Sequence, residues 1–191
     1  MCRVPAVLAL AGVLAGCSAG GPQPTTPGAA PVAPASSASA PADPIPPVRE
    51  PKNLAGTPPC QLLTPAQLAD NQMDLPAQTK NVLDAPGCEW DNKAHTREVR
   101  IYVDTTNDVL HNVYAQRTTF PVFEVTQVAG HPAIRTKNNA AGTTCFFNVA
   151  AAERQTFVVG FTSLRQGLEE PCGPARALAE DVMANLPPLK S

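Results

Sequence analysis

Glu98-Val99-Arg100-Ile101-Tyr102-Val103-Asp104 alternates apolar and polar side chains without a break. In an extended chain Val99, Ile101 and Val103 point to one side, and Arg100, Tyr102 and Asp104 to the other. Such a strand lays one face on a core and leaves the other at water or at a rim. It sets the domain as a sheet with a buried face. The stretches on either side are therefore read for further strands and for helices to cover that face.

Toward the C-terminus, Thr106 or Asn107 is placed to cap a helix running to about Arg117, with Val109, Leu110, Val113 and Tyr114 at helical spacing. Residues 122–128 read as a strand, Gly130-His131-Pro132 as a turn, and 133–137 as its return. Residues 138–142 are a turn cluster. Residues 143–150 and 155–164 form a hairpin, with Phe157, Val159 and Phe161 on one face and Val158, Gly160 and Thr162 on the other. Pro171-Cys172-Gly173-Pro174 starts a last helix, with Glu169 and Glu170 ahead of its positive end. Ala175, Leu178, Ala179, Val182 and Leu186 form its apolar stripe, and Pro187-Pro188 stops it.

Toward the N-terminus, Pro86-Gly87 turns the chain into a first strand at Cys88-Glu89-Trp90. Before it, Thr64-Pro65-Ala66-Gln67 has the form of a capping box with Pro at the first helical position. Leu62, Leu63 and Leu68 give this short helix an apolar side, and Pro76 ends it. The predicted order is α-ββ-α-ββββ-α. That is an α+β domain: an antiparallel sheet of about six strands with helices packed on one face and two disulfides.

The chain opens differently. Met1 to Arg3 carry positive charge, an apolar run follows to Ala15, and small residues lead into Cys17. These are the parts of an export signal, too short to span a bilayer as a mature helix. Leu14-Ala15-Gly16-Cys17 resembles a bacterial lipobox, which implies cleavage before Cys17 and lipid on its thiol. Residues 1–16 are thus expected to be a lipoprotein signal peptide and 17–57 a lipid-anchored, disordered tether rich in Pro and Ala. Thr25, Thr26, Ser36, Ser37 and Ser39 are open to glycosylation there. Residues 58–191 make the globular domain, and the expected location is the outer face of the cell membrane. The membrane is the expected partner through the lipid. A net charge of −2 with no block of like charge gives no reason to propose nucleic acid.

Six cysteines are present. Cys2 leaves with the leader and Cys17 takes lipid. Cys60, Cys88, Cys145 and Cys172 remain, an even number in an exported domain, which reads as two disulfides. Four cysteines permit three pairings. Cys60 and Cys172 each precede a helix, and Cys88 and Cys145 each lie on a strand. That placement favours Cys60–Cys172 with Cys88–Cys145, and the chief rival is the sequential set Cys60–Cys88 with Cys145–Cys172.

Catalytic motifs are hard to find. Beyond the tether the serines are Ser163 and the terminal Ser191, with no Gly-x-Ser-x-Gly elbow. His95, His111 and His131 show no zincin spacing and read as solvated and unrelated, so neither a metal nor a cofactor is expected. Asp84, Glu89, Asp91, Asp104 and Asp108 would have to converge at one end of the sheet for glycosidase chemistry. No Gly-rich phosphate loop is present.

Several stretches are similar to a family of actinobacterial secreted lipoproteins defined only as a domain of unknown function. They are Pro59-Cys60-Gln61-Leu62-Leu63-Thr64, Cys88-Glu89-Trp90, Gly130-His131-Pro132-Ala133 and Pro171-Cys172-Gly173-Pro174-Ala175 leading to Leu186-Pro187. The resemblance spans the domain from about Pro59 to Pro188 and implies a high-GC Gram-positive source. The family has no agreed activity, so no catalytic residue transfers. In outline such domains are also similar to other mycobacterial envelope lipoproteins with an open cleft beside the sheet, a likeness of fold from which function does not follow. The expectation is a non-catalytic binding domain for a lipid, glycan, small molecule or envelope protein. A cell-wall enzyme with dispersed acids and histidines, or a structural accessory of a membrane complex, stands as the alternative.

Overall fold

The computed structural model describes residues 43–82, 84–165 and 169–190. Cys17, the leader and the tether up to residue 42 lie outside the described residues. Seven strands form one antiparallel sheet: β1 (Gln78–Val82), β2 (Ala85–Asp91), β3 (Arg97–Asp104), β4 (Val122–Val128), β5 (His131–Lys137), β6 (Thr144–Ala152) and β7 (Gln155–Ser163). Their spatial order is β1-β2-β3-β7-β6-β5-β4. Two meanders, β1 to β3 and β4 to β7, are thus joined along β3 and β7. Every connection inside a meander is a local hairpin. The one long crossover, from β3 to β4, carries the helix α2 (Val109–Ala115).

The alternation in residues 98–104 survives intact. Val99, Ile101 and Val103 are buried, and Arg100, Tyr102 and Asp104 are half-buried on the opposite face. Their register carries the pattern across the sheet, with Val99 opposite Phe161, Ile101 opposite Val159 and Val103 opposite Phe157. On this core face lies α3 (Cys172–Asn185), whose Ala175, Leu178, Ala179 and Val182 are fully buried. Leu178 and Val182 each contribute about 1.5–3 kcal/mol by leaving water. Glu170 accepts hydrogen bonds from the Cys172 and Gly173 amides at 2.8 and 3.2 Å, satisfying donors that the first turn leaves free. The short α1 (Pro65–Asp70) starts in a complete capping box between Thr64 and Gln67 and buries Leu68 against the same core.

Five expectations are corrected. The sheet has seven strands, because the polar Gln78-Thr79-Lys80-Asn81-Val82 pairs along β2 as an edge strand. An edge exposed on both faces needs no apolar alternation, so it left no periodic signal. The order is α-βββ-α-ββββ-α. The helices occupy both faces: α3 covers the core face, whereas α2 packs Leu110 against Ile134 on the reverse, with Val113, Tyr114, Phe123, Val125 and Ala150 around them.

The disulfides join Cys60 to Cys88 and Cys145 to Cys172, not Cys60 to Cys172 and Cys88 to Cys145. Strands β3 and β7 stand between β2 and β6, which puts Cys88 about 14 Å from the Cys145 strand at ordinary strand spacing. Cys60 instead sits on a 3-10 turn (Pro59–Gln61) packed on β2, and Cys172 opens α3 where that helix crosses β6. Each pair has its Cα atoms 5.0 Å apart, within bridging reach.

The folded unit also begins earlier than residue 58. Leu54 is fully buried and Ile45 nearly so. The Leu54 and Ala55 amides donate to Gln155 Oε1 at 2.8 and 3.1 Å. Lys52 N–H donates to the Ala151 carbonyl, and Asn53 N–H to that of Pro187, both at 2.8 Å. Residues 43–57 therefore belong to the domain, with Leu54 in the main core and Ile45 in the small core on the reverse face.

Candidate functional site

That fastening builds a cleft of about 950 Å³ on the α2 side of the sheet. One wall is the strap of residues 43–48, in which Asp43-Pro44-Ile45-Pro46-Pro47 cannot form a helix. Ile45 drops into the small core beneath α2, so Pro46, Pro47 and Val48 are held along the lip. The opposite wall is the first turn of α2, and the floor is Pro132, Ala150 and Thr156 of the sheet. The β6–β7 turn closes one end. There Arg154, at a φ of 55°, swings its guanidinium onto the Thr106 carbonyl, which Nε reaches at 2.7 Å.

The polar centre of the cleft is His111. Its Nδ1 lies 2.8 Å from Asp108 Oδ1, and its Nε2 lies 3.0 Å from both oxygens of Asp43. Asp108 is the N-cap of α2 and also accepts from the His111 amide. Asp43 closes the strap on itself by accepting from the Ile45 amide at 2.9 Å. The Asp108 and Asp43 carboxylates raise the pKa of His111. In return the His111 hydrogen bond lowers that of Asp108. The Ile45 amide, followed by His111, lowers that of Asp43. With both ring nitrogens engaged by carboxylates, His111 is held as a clasp between strap and helix. It has no free nitrogen to act as a base.

The remaining sequence candidates are scattered. His131 is buried rather than solvated, which corrects the reading of it as a free surface group. Its Nδ1 lies 3.1 Å from the Ala150 carbonyl oxygen, and burial lowers its pKa. His95 sits exposed in the β2–β3 turn at a φ of 49°. Ser163 is buried at the end of β7 on the core side, and its hydroxyl has no hydrogen-bond partner among the described residues.

The five carboxylates do not converge. Asp84 is exposed in the β1–β2 turn. Glu89 holds Arg100 at 3.0 Å and Lys80 at 3.6 Å on the reverse face of β1 to β3. Asp91 stands opposite Glu98, whose pKa is raised by burial despite the adjacent Arg100. Asp104 is used inside its own loop, accepting from Thr106 and Asn107 amides at 2.8 Å. Only Asp108 enters the cleft. Among the described residues no group of three His, Cys, Asp or Glu side chains is arranged to hold a metal ion, and no helix is long and apolar enough to cross a membrane.

Asp43 escapes a reading of the sequence alone because it lies within residues 17–57, whose Pro and Ala content is that of a tether. A signal was present: the stretch from Ser18 to Ala42 carries no charge, and charged residues resume at Asp43, followed at once by Ile45 and later Leu54. That break in composition precedes the stretch that packs on the sheet.

No curated protein and no solved structure matches this chain. A family model described as "Protein of unknown function (DUF3558)" matches residues 12–185, nearly the whole chain and every cleft residue but Leu189, and the chain belongs to that family.

Proposed function

We propose that the protein is a membrane-anchored envelope lipoprotein whose domain binds a small amphipathic molecule and performs no chemistry on it. The observation that carries this reading is the cleft. Its floor and strap are apolar, from Ile45, Pro46, Val48, Leu110, Pro132 and Ala150, while Asp43, Asp108, His111 and Arg154 border it. That combination of apolar body and few convergent polar groups is the usual composition of a ligand site. Asp43, Asp108, His111 and Arg154 are already tied to one another or to backbone, and neither Ser nor Cys lines the space. This supports binding over turnover.

Cys17 carries the anchor in this reading, with the mature chain held at the outer face of the membrane by diacylglycerol. The lipobox-like Leu14-Ala15-Gly16-Cys17 and the export-type leader support it. The stretch from Ser18 to Ala42 then sets the spacing from the bilayer, and the strap is where spacer becomes domain.

Two measurements test the two halves separately. Cys17→Ala should move the protein out of the membrane fraction after a carbonate wash, because one acyl chain is marginal and none is insufficient for stable attachment. Retention in that fraction would refute the anchor. For the domain, native mass spectrometry of the full chain purified in mild detergent should reveal a co-purifying molecule at one per chain. An empty protein taken from the envelope of a producing cell would count against the ligand.

A further inference from the structure

The two edges of the sheet differ. Edge strand β1 is five residues long, polar, and carries Lys80 at its centre, features that discourage pairing with another chain. Edge strand β4 is Val122-Phe123-Glu124-Val125-Thr126-Gln127-Val128, seven residues of high strand propensity with one charge and neither Pro nor Gly.

The hairpin to β5 fixes which backbone groups of β4 point away from the sheet. Val128 and His131 close it around Ala129 and Gly130, both at positive φ (48° and 81°), the signature of a two-residue primed turn. The closing pair of such a hairpin is hydrogen-bonded, so Val128, Thr126, Glu124 and Val122 aim their N–H and C=O at β5. Phe123, Val125 and Gln127 aim theirs outward. Arg176 of α3 marks this phase independently, since its Nη2 donates to the outward Gln127 carbonyl at 2.9 Å. Among the described residues nothing else hydrogen-bonds the outward groups of Phe123 or Val125.

We propose that this edge pairs with the β4 edge of a second copy of the chain, antiparallel about a two-fold axis through Val125. The strand is self-complementary in that register. Val125 meets its own copy, Phe123 meets Gln127, and Glu124 meets Thr126, so no like charges face each other. Three outward-facing residues on each chain give about six inter-chain hydrogen bonds, two of which share the Gln127 carbonyl with Arg176. A slip of two residues in one direction sets Glu124 against Glu124, which like-charge repulsion disfavours. A slip in the other direction shortens the ladder. The side chains at the seam match as well: Phe123 and Val125 stand on the α2 face, half-buried beside Tyr114, and pairing would continue that small core into the second copy.

Sedimentation velocity of the full chain in mild detergent, over a concentration series, tests this. The wild type should dimerise. Thr126→Glu places a glutamate opposite Glu124 twice by symmetry and should weaken the dimer about tenfold, whereas Thr126→Lys should tighten it by a similar factor. A general folding defect cannot produce opposite signs at one position. Val125→Pro removes one outward N–H, spares the β5 ladder and should give a monomer with an unchanged β-sheet spectrum. A wild type that stays monomeric at every concentration would overturn the proposal, showing that the edge is free or is covered by something other than a second copy. A dimer equally strong in Thr126→Glu and Thr126→Lys would overturn it too, by placing the contact elsewhere.

Discussion

Replacing Cys145 and Cys172 together by alanine opens a loop of sequence separation 27 that ties α3 to β6. In the chain-entropy form, a loop of that size constrains the unfolded chain by about 3.5 kcal/mol. Cys60→Ala with Cys88→Ala opens a loop of separation 28, so its expected cost is the same within a few tenths of a kcal/mol. Because the two loops follow one another along the chain and do not interlock, the costs should add. Each double variant should melt roughly 7–14 °C below the wild type, at about 2–4 °C per kcal/mol for a domain of this size. Urea titration with matched m-values, alongside thermal melts, measures both. Removing both bridges takes about 7 kcal/mol from a fold that holds about 5–15 kcal/mol in all, so the quadruple variant should be marginal or unfolded at growth temperature. Losses that differ by more than about 2 kcal/mol between the two double variants would contradict equal independent loops. A peptide linking Cys60 to Cys172 in a non-reducing digest would refute the pairing outright.

Four further outcomes follow from particular residues. Gly160→Ala would put a Cβ 2.7 Å from Phe146 Cε1, so the ring or the strand must shift and the variant should lose about 1–3 kcal/mol. Gly173→Ala, with open space at that Cβ in the first turn of α3, should be neutral or gain up to about 1 kcal/mol. Leu54→Ala should cost about 2–5 kcal/mol by chemical denaturation, since this side chain is fully buried; a loss near zero would return residues 43–57 to the tether. His111 and His131 should titrate on opposite sides of 6.5 by NMR, His111 above and His131 below. The signs then differ. Stability from His111 is complete below 6.5 and is lost as pH rises through its raised pKa. Stability from His131 is present above 6.5 and is lost as pH falls through its lowered one. His111→Gln should therefore lose its destabilising effect at alkaline pH. The reverse order of the two titrations would refute the clasp.

Much of the fold was legible because half-buried strands and one-sided helices must advertise their core face. The alternation in residues 98–104, the split faces of residues 155–164 and the stripe from Ala175 to Leu186 all appear as read. So do the capping box at Thr64 and the evenness of the cysteines. What stayed hidden depends on neighbours in space. Gln78–Val82 is a strand only because β2 offers it hydrogen bonds. The side of the sheet that α2 takes is set by the handover from β3 to β4, and its apolar residues fit either face. The cysteine pairing turned on which strands lie between β2 and β6, a property of the order β3-β7 that hairpin reading does not supply. The cleft was hidden for a related reason. His111 looked like one solvated side chain because its partner Asp43 lies 68 residues away, in a stretch whose prolines suggested a spacer. Those same prolines keep the strap extended enough to reach α2.

The most direct test of a binding role for the cleft is a titration of the full chain with the neutral apolar fluorophore N-phenyl-1-naphthylamine, in wild type and in Ala150→Trp. Ala150 forms part of the cleft floor, and an indole there fills the space beneath the strap. Val48→Trp fills it from the lip and guards against a folding defect at the sheet. The expected result is saturable binding at one probe per chain in the wild type, reduced at least tenfold in both tryptophan variants, with thermal melting retained in Val48→Trp. Probe fluorescence that fails to saturate, or that saturates equally in all three proteins, would contradict a ligand site between the strap and α2.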